Sequence, residues 1–341
     1  MNYHMKKIPT ILLIVLFFVS IIGFFAYNSL FSAPQKQAEL ERFIIPINTS
    51  KTDIIKKLND QGFIKSESGF KFVFTFSDIE AGAYKISKNM SAWEVGSIMK
   101  QKPYMVWITI PEGLRKEQIG EILADSLGWT EQEKKDWITK YTAKEKLYTE
   151  GVYFPDTYLL STEESPSKIA ERFIDKFNEK FQPYTERFIK ENIKWNTALR
   201  IASIIQREAS GNNDMPLISG ILWNRLLKNM RLEVDATVQY ARDDIAHYGV
   251  VRNNSQPQTY MSEGDWWKPM RSNDKNIDSP YNTYRNSGLP PHPICNPGLD
   301  AIDAVLNPTK TDCLYYIHDT NGQIYCSKTY EEHKNNIEKF L

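Results

Sequence analysis

Ala198-Leu199-Arg200-Ile201-Ala202-Ser203-Ile204-Ile205-Gln206-Arg207-Glu208-Ala209 reads as an unbroken helical run, stopped by Ser210-Gly211. Ile201, Ile204 and Ile205 recur at helical spacing and form an apolar stripe. Glu208 lies four residues past Ile204 and three past Ile205, so the stripe ends in a carboxyl group. A carboxyl on an apolar face loses solvation and its pKa rises, which keeps a Glu protonated near neutral pH and able to act as an acid. The competing reading is a Glu near a helix end that turns to solvent or pairs with Arg225 or another cation. Position alone leaves both open.

Downstream, Met215–Leu227 predicts a second helix whose face includes Ile218, Ile221, Leu222 and Leu226 and which presents Asn224 and Arg225. In the stretch that follows, Arg225, Glu233 and Asp235 are either site groups or a solvated charged face. Val250–Asp278 is polar and turn-rich, of a length usual for functional or disordered loops. Its Tyr260, Trp266 and Trp267 line a glycan groove on one reading and pack a lid on the other. Ser279–Gly298 holds five prolines. Prolines restrict φ, so this loop is a stiff wall whose ordering entropy is lost before any ligand arrives.

Upstream, Thr130–Lys194 reads mainly helical, with Ile169, Phe173, Ile174, Phe177 and Phe181 at helical spacing. The break is Glu150-Gly151-Val152-Tyr153-Phe154-Pro155-Asp156-Thr157-Tyr158, an aromatic turn that serves as a stacking platform for a sugar or, as its residue types favour, as core packing at a bend. Nearer the N-terminus an apolar strand, a capping residue and a short amphipathic helix recur. They are Ile44–Ile47 with Ile54 and Leu58, Ala83–Ile86 with Val95 and Met99, and Ile108–Gly113 with Ile119 and Leu123. The helix anchors step by 41 and then 24 residues, which excludes a solenoid and suits a compact sheet-backed binding unit. The class is α+β.

The 341 residues carry 42 Lys+Arg against 42 Asp+Glu, a balance that argues against a nucleic-acid partner. The balance is uneven. Residues 1–31 hold Lys6 and Lys7 and no Asp or Glu, and Ile8–Phe31 has no side chain charged at neutral pH. At about 1.5 Å per residue that segment crosses a hydrocarbon core of roughly 30 Å with some tilt. His4, Lys6 and Lys7 precede it and nothing basic follows until Lys36, so the N-terminus is expected in the cytoplasm and the rest across the membrane. No A-x-A spacing favours a cleaved signal peptide, and an uncleaved anchor is expected.

Three cysteines are too few for a disulfide framework. Leu314–Tyr325 reads as a hairpin around Asn321-Gly322. A two-residue turn there pairs positions summing to 643, so Cys326 faces Ile317. Cys313 then lies roughly 13 Å further along, too far for a bridge, and free thiols are expected, with Cys295 unassigned. The five His show no ligand spacing and there is no H-E-x-x-H or paired C-x-x-C, so neither a metal nor a cofactor is expected.

Several motifs occur in one family's order: Ala202–Glu208, Asn224-Arg225-Leu226, Met230–Val238, Ser279–Tyr284 and Gly288–Pro291. With Glu150-Gly151, Pro155-Asp156-Thr157, Pro111-Glu112-Gly113, Ala81–Tyr84 and the apolar N-terminal segment, the chain resembles the MltG-type (YceG-like) endolytic murein transglycosylases over nearly its whole length. The resemblance implies a bitopic inner-membrane protein with a cytoplasmic tip (1–7), a transmembrane helix (8–31), a linker (32–40), a LysM-like module (41–104) and a larger mixed α/β catalytic domain (105–341). It implies peptidoglycan glycan strands as substrate, peptidoglycan synthases as neighbours, and cleavage inside nascent strands that leaves 1,6-anhydro-N-acetylmuramoyl ends and helps set strand length. The family's catalytic Glu maps onto Glu208.

Two departures stand out. Many members have a second acid two residues before the catalytic Glu, where this chain has Gln206. A Gln-Thr-Asp-Pro run in many members reads here as Glu233-Val234-Asp235-Ala236, and a Glu in the first position repels a negative substrate group or pushes up the pKa of Glu208. Glycosidases commonly pair two carboxyls at about 5–9.5 Å. A lytic enzyme activates no water, so a single carboxyl suffices. Asn224, Arg225, Glu233, Asp235, Thr237, Tyr281, Asn282 and Tyr284 are the candidate substrate-binding residues. Two other readings remain: a water-using muramidase with Asp235 as second carboxylate, and a non-catalytic glycan-binding scaffold.

Overall fold

The structure, a computed structural model, describes residues 7–74, 78–142, 149–248 and 266–341. The chain divides into two compact units: residues up to Ile108 together with Tyr158–Glu163, and Thr109–Thr157 together with Glu164–Leu341.

The first unit begins with α1 (Lys7–Leu30), whose stretch Leu12–Leu30 is apolar, unburied and long enough to cross a membrane. It continues with β1 (Leu40–Ile45), α2 (Lys51–Asp60), α3 (Glu67–Val73), β2 (Gly82–Ser87), α4 (Ala92–Met99), β3 (Met105–Thr109) and β4 (Thr157–Ser161). The strands form one four-stranded sheet in the order β1-β2-β3-β4, with β1 and β2 antiparallel. Serine caps start the helices: Ser50 accepts the Asp53 amide, Ser66 that of Gly69, and Ser91 closes a reciprocal box with Glu94. Phe43 and Ile45 face inward with Leu58, Phe70, Phe74, Ile86 and Val95 to make the core. Ile47, expected on the first strand, is exposed, because the chain leaves the sheet at Ile45 and turns through Asn48 in a left-handed conformation.

The second unit packs helices around α8 (Trp195–Glu208). Before it come α5 (Lys116–Leu127), closed by Gly128 in a left-handed conformation, then α6 (Glu131–Asp136) and α7 (Pro166–Lys190), and after it α9 (Met215–Leu227) and α10 (Asp235–Tyr248). α11 (Leu299–Leu306) lies against α8 and α9, followed by the hairpin β5 (Tyr315–His318) and β6 (Ile324–Ser327) and by α12 (Tyr330–Phe340). The aromatic turn is core: Val152, Tyr153 and Phe154 are buried, and the Tyr153 ring lies 5.6 Å from that of Trp137. The expected helical stretch 130–194 is also interrupted by β4, which no helix period announces.

The hairpin corrects two expectations. Its turn has three residues, Thr320-Asn321-Gly322, with Gly322 at φ 79° and the Asp319 amide donating to Gln323 O at 3.0 Å. Pairing therefore shifts by one, and Cys326 opposes Tyr316, not Ile317. The chain also bends back before β5 starts, with Leu314 N–H on Ser327 O at 2.8 Å. The Cα atoms of Cys313 and Cys326 thus lie 5.8 Å apart and the two are joined in a disulfide, where free thiols were expected. Cys295 is buried and free.

Candidate active site

Glu208 is the last residue of α8, whose Ile201, Ile204 and Ile205 are fully buried. The stripe carries the carboxyl inward, to the wall of a cleft of about 690 Å³ bounded by α9, the start of α10, the hairpin and α12. Its partner is not Arg225. The Tyr316 hydroxyl donates to Glu208 Oε2 at 2.6 Å, from the middle of β5. Burial raises the carboxyl pKa above the ordinary value, and the negative Asp235 adds to the rise. The Tyr316 hydroxyl, the Ala236 amide at the N-terminus of α10 and His318 all favour the anion and hold the rise in check. The net effect is a raised Glu208 pKa, with burial the largest influence.

Five of the sequence-derived candidates line this cleft together: Glu208, Arg225, Glu233, Asp235 and Tyr284. Asp235 opens α10 and accepts the Tyr284 hydroxyl at 2.6 Å, while the Lys275 ammonium lies 4.5 Å over the Tyr284 ring. Glu233 is half-exposed at a positive φ of 52° and lies 3.7 Å from the Arg225 guanidinium. Arg225 itself is 8% exposed, and its hydrogen bonds are to backbone: Nε donates to Leu314 O at 2.5 Å and Nη1 to Leu232 O at 2.6 Å and Arg231 O at 3.2 Å. It clamps the two cleft walls to α9.

The other four are scaffolding. Asn224 donates to the carbonyls of Thr311 and Cys313 at 2.7 and 3.1 Å, fixing the approach to the hairpin. Thr237 is buried, with its hydroxyl 2.7 Å from Val234 O and 2.8 Å from Thr283 Oγ1. Asn282 is buried and donates to the carbonyls of Lys275 and Ile277 at 3.0 and 2.8 Å. The Tyr281 ring packs against that of Tyr240, tilted, with centroids 4.7 Å apart. Gln206, in the place of a second acid, accepts the Gly298 amide at 3.0 Å and serves the start of α11.

Sequence reasoning found the hairpin but did not place it or α12 at the site. Tyr315, Tyr316, Tyr330 and His333 line the cleft, with the Tyr315 ring 4.9 Å from the Arg225 guanidinium and 5.3 Å from His333. Strand alternation offered a signal: Tyr316 and His318 share one face of β5, the face that acts on Glu208. His318 also pairs with Asp214 at 3.1 Å. Of the long loop, Tyr260 lies outside the described residues. Trp266 and Trp267 pack away from the cleft, their indole N–H groups on Glu121 and Gln118, with the buried Arg115 between the rings of Tyr240 and Trp266 at 4.0 and 4.6 Å. Among the described residues no group of His, Cys, Asp and Glu is arranged to hold a metal.

The family profile described as the YceG-like family matches residues 43–339. An endolytic murein transglycosylase of Bacillus subtilis (strain 168) is 30% identical over 87% of this chain and 84% of its own length. One of Streptococcus pneumoniae serotype 2 (strain D39 / NCTC 7466) is 26% identical over 98% of this chain. The chain spans 65% of the length of that pneumococcal relative. A crystal structure of a yceG-like protein from Listeria monocytogenes superposes with a TM-score of 0.57 at 28% identity, covering 88% of this chain and 99% of that one. With the profile covering both units and the cleft, this chain belongs to the YceG-like family.

Proposed function

We propose that this protein is an endolytic lytic transglycosylase that cleaves the bond between N-acetylmuramic acid and N-acetylglucosamine in peptidoglycan strands, with Glu208 as its acid and base. The observation that carries the reading is the Glu208 carboxyl on a cleft wall, its pKa raised chiefly by burial yet hydrogen-bonded by groups that accommodate the anion. The names of the relatives support the same substrate.

Protonated Glu208 donates to the glycosidic oxygen as the C1–O bond breaks. The resulting carboxylate then accepts the proton of the muramoyl C6 hydroxyl as that oxygen bonds to C1. No water is added, and the acid is restored to its starting state. Asp235 and Tyr284 border the positive charge that develops at C1, and Asp235 offsets it. The mild acidity of residues 32–341 suits a sugar recognised by shape and hydrogen bonding.

The larger unit is read as extracytoplasmic, with α1 as a single-pass anchor in the cytoplasmic membrane and the N-terminus inside. The Cys313–Cys326 disulfide supports this, since such bonds persist where the compartment is oxidising. The sheet-backed first unit is read as LysM-like and glycan-binding, placing the enzyme beside synthases where it sets strand length. Product analysis by mass spectrometry tests the chemistry. Purified strands should yield anhydro ends with the parent protein and none with Glu208→Gln. Reducing ends, heavier by one water, would make it a muramidase using Asp235. Retained glycan without cleavage would make it a scaffold.

A further inference from the structure

The last turn of α1 does not lead into a free tether; it is docked. A Cβ at Gly69 would stand 2.3 Å from the Leu30 carbonyl oxygen, so only glycine lets α3 approach the end of α1 this closely. The Ala92 amide donates to Phe31 O at 2.9 Å, tying the start of α4 to the same point. Lys65 donates from its ammonium to Ser32 Oγ at 2.8 Å. Gly96 brings α4 onto α3, since a Cβ there would meet Val73 Cγ1 at 2.8 Å.

This packing gathers three rings from three segments. Phe31 lies 5.7 Å from Trp93 and 6.1 Å from Phe72, and Phe72 lies 6.4 Å from Trp93. Phe72 is nevertheless 68% exposed and Trp93 44% exposed. An exposed aromatic patch of this kind on a folded unit marks a contact surface. It is continuous with the apolar surface of α1 through Tyr27, whose ring lies 5.6 Å from Phe31. Aromatic rings and a lysine at the end of an apolar helix are the groups that favour the lipid headgroup layer.

The geometry points to a second lipid contact: Phe31, Phe72 and Trp93 form a seat in the headgroup layer of the leaflet from which α1 emerges, fixing the orientation of the first unit on the bilayer. This rests on the proposed reading of α1 as a span. The seat goes beyond that reading, because a span alone does not put residues outside α1 in contact with lipid.

The test is nitroxide labelling of the full chain in phosphatidylcholine/phosphatidylglycerol vesicles, favoured by the native cysteines being buried or disulfide-bonded. Labels are placed at Phe72→Cys, at Ile22→Cys in α1, and at Lys56→Cys on the exposed face of α2. Collision with a water-soluble nickel chelate should be severalfold lower at 72 than at 56, with oxygen collision higher. As a check that leaves Phe72 in place, the Trp93 fluorescence, taken as the difference between parent and Trp93→Phe, should be quenched by lipids brominated near the headgroup. A label at 22 in lipid with 72 as accessible as 56 overturns the seat and leaves the span intact. A label at 22 in water overturns both. Dipolar broadening between labels at 72 would assign the patch to a second copy and also overturn the lipid seat.

Discussion

The phenolic oxygen of Tyr316 lies 2.6 Å from Glu208 Oε2, joining the hairpin to the end of α8. A donor here stabilises the carboxylate, so removing it should push the Glu208 pKa higher still. Tyr316→Phe should therefore move the alkaline limb of the kcat/KM profile to higher pH. It should also lower kcat about tenfold, equivalent to ~1.4 kcal/mol, because the anion formed after proton donation loses a partner. A pH–rate series on purified strands measures both.

Glu208→Gln should lower kcat by about 10²–10⁴-fold or more, the range for loss of a general acid. Its effect on stability has the opposite sign. The folded pKa of Glu208 is raised from the 4.5 of an unperturbed carboxyl, so its favourable contribution is present below that value and is lost as pH rises through the folded pKa. Gln has no charge to bury, and the variant's melting temperature should exceed the parent's by a margin that grows from acid towards neutral pH. A calorimetric pH series would refute this with parallel curves.

Cys313 and Cys326 close a short loop, 13 residues apart, that contains Tyr316. Replacing both with Ala should cost about 3 kcal/mol in chain-entropy terms and lower kcat as Tyr316 loses its fixed place. Reductant should lower the melting temperature of the parent and leave that of the double variant unchanged.

Arg225 holds three carbonyls from two cleft walls. Lysine carries the charge but lacks the planar fork, so Arg225→Lys should destabilise the fold by about 2–4 kcal/mol. Lys275 is a cleft residue over the Tyr284 ring, and Lys275→Met should alter KM with little loss of stability. Urea unfolding beside steady-state kinetics separates the two roles.

The helices were legible because their apolar residues repeat. α9 spans the expected Met215–Leu227, and the stripe on α8 led to Glu208. Its hydrogen-bond partner was not legible, since one extra residue in the hairpin turn reverses which side chains share a face. The same shift, with the bend at Leu314, hid the disulfide. Asn224, Thr237 and Asn282 have the chemistry of sugar-binding groups, yet each serves nearby backbone or a neighbouring hydroxyl. Residue type and spacing do not reveal which way such a side chain turns. β4 was missed because its pairing depends on strands far away in the chain.

The 108 positions that separate Glu208 from Tyr316 also impose a schedule on the nascent protein. At about 5–20 residues per second, the helix bearing the acid waits roughly 5–20 s for the hairpin to be synthesised. Until then Glu208 lacks its Tyr316 donor, and the cleft is complete only after the polypeptide beyond α11 has been made.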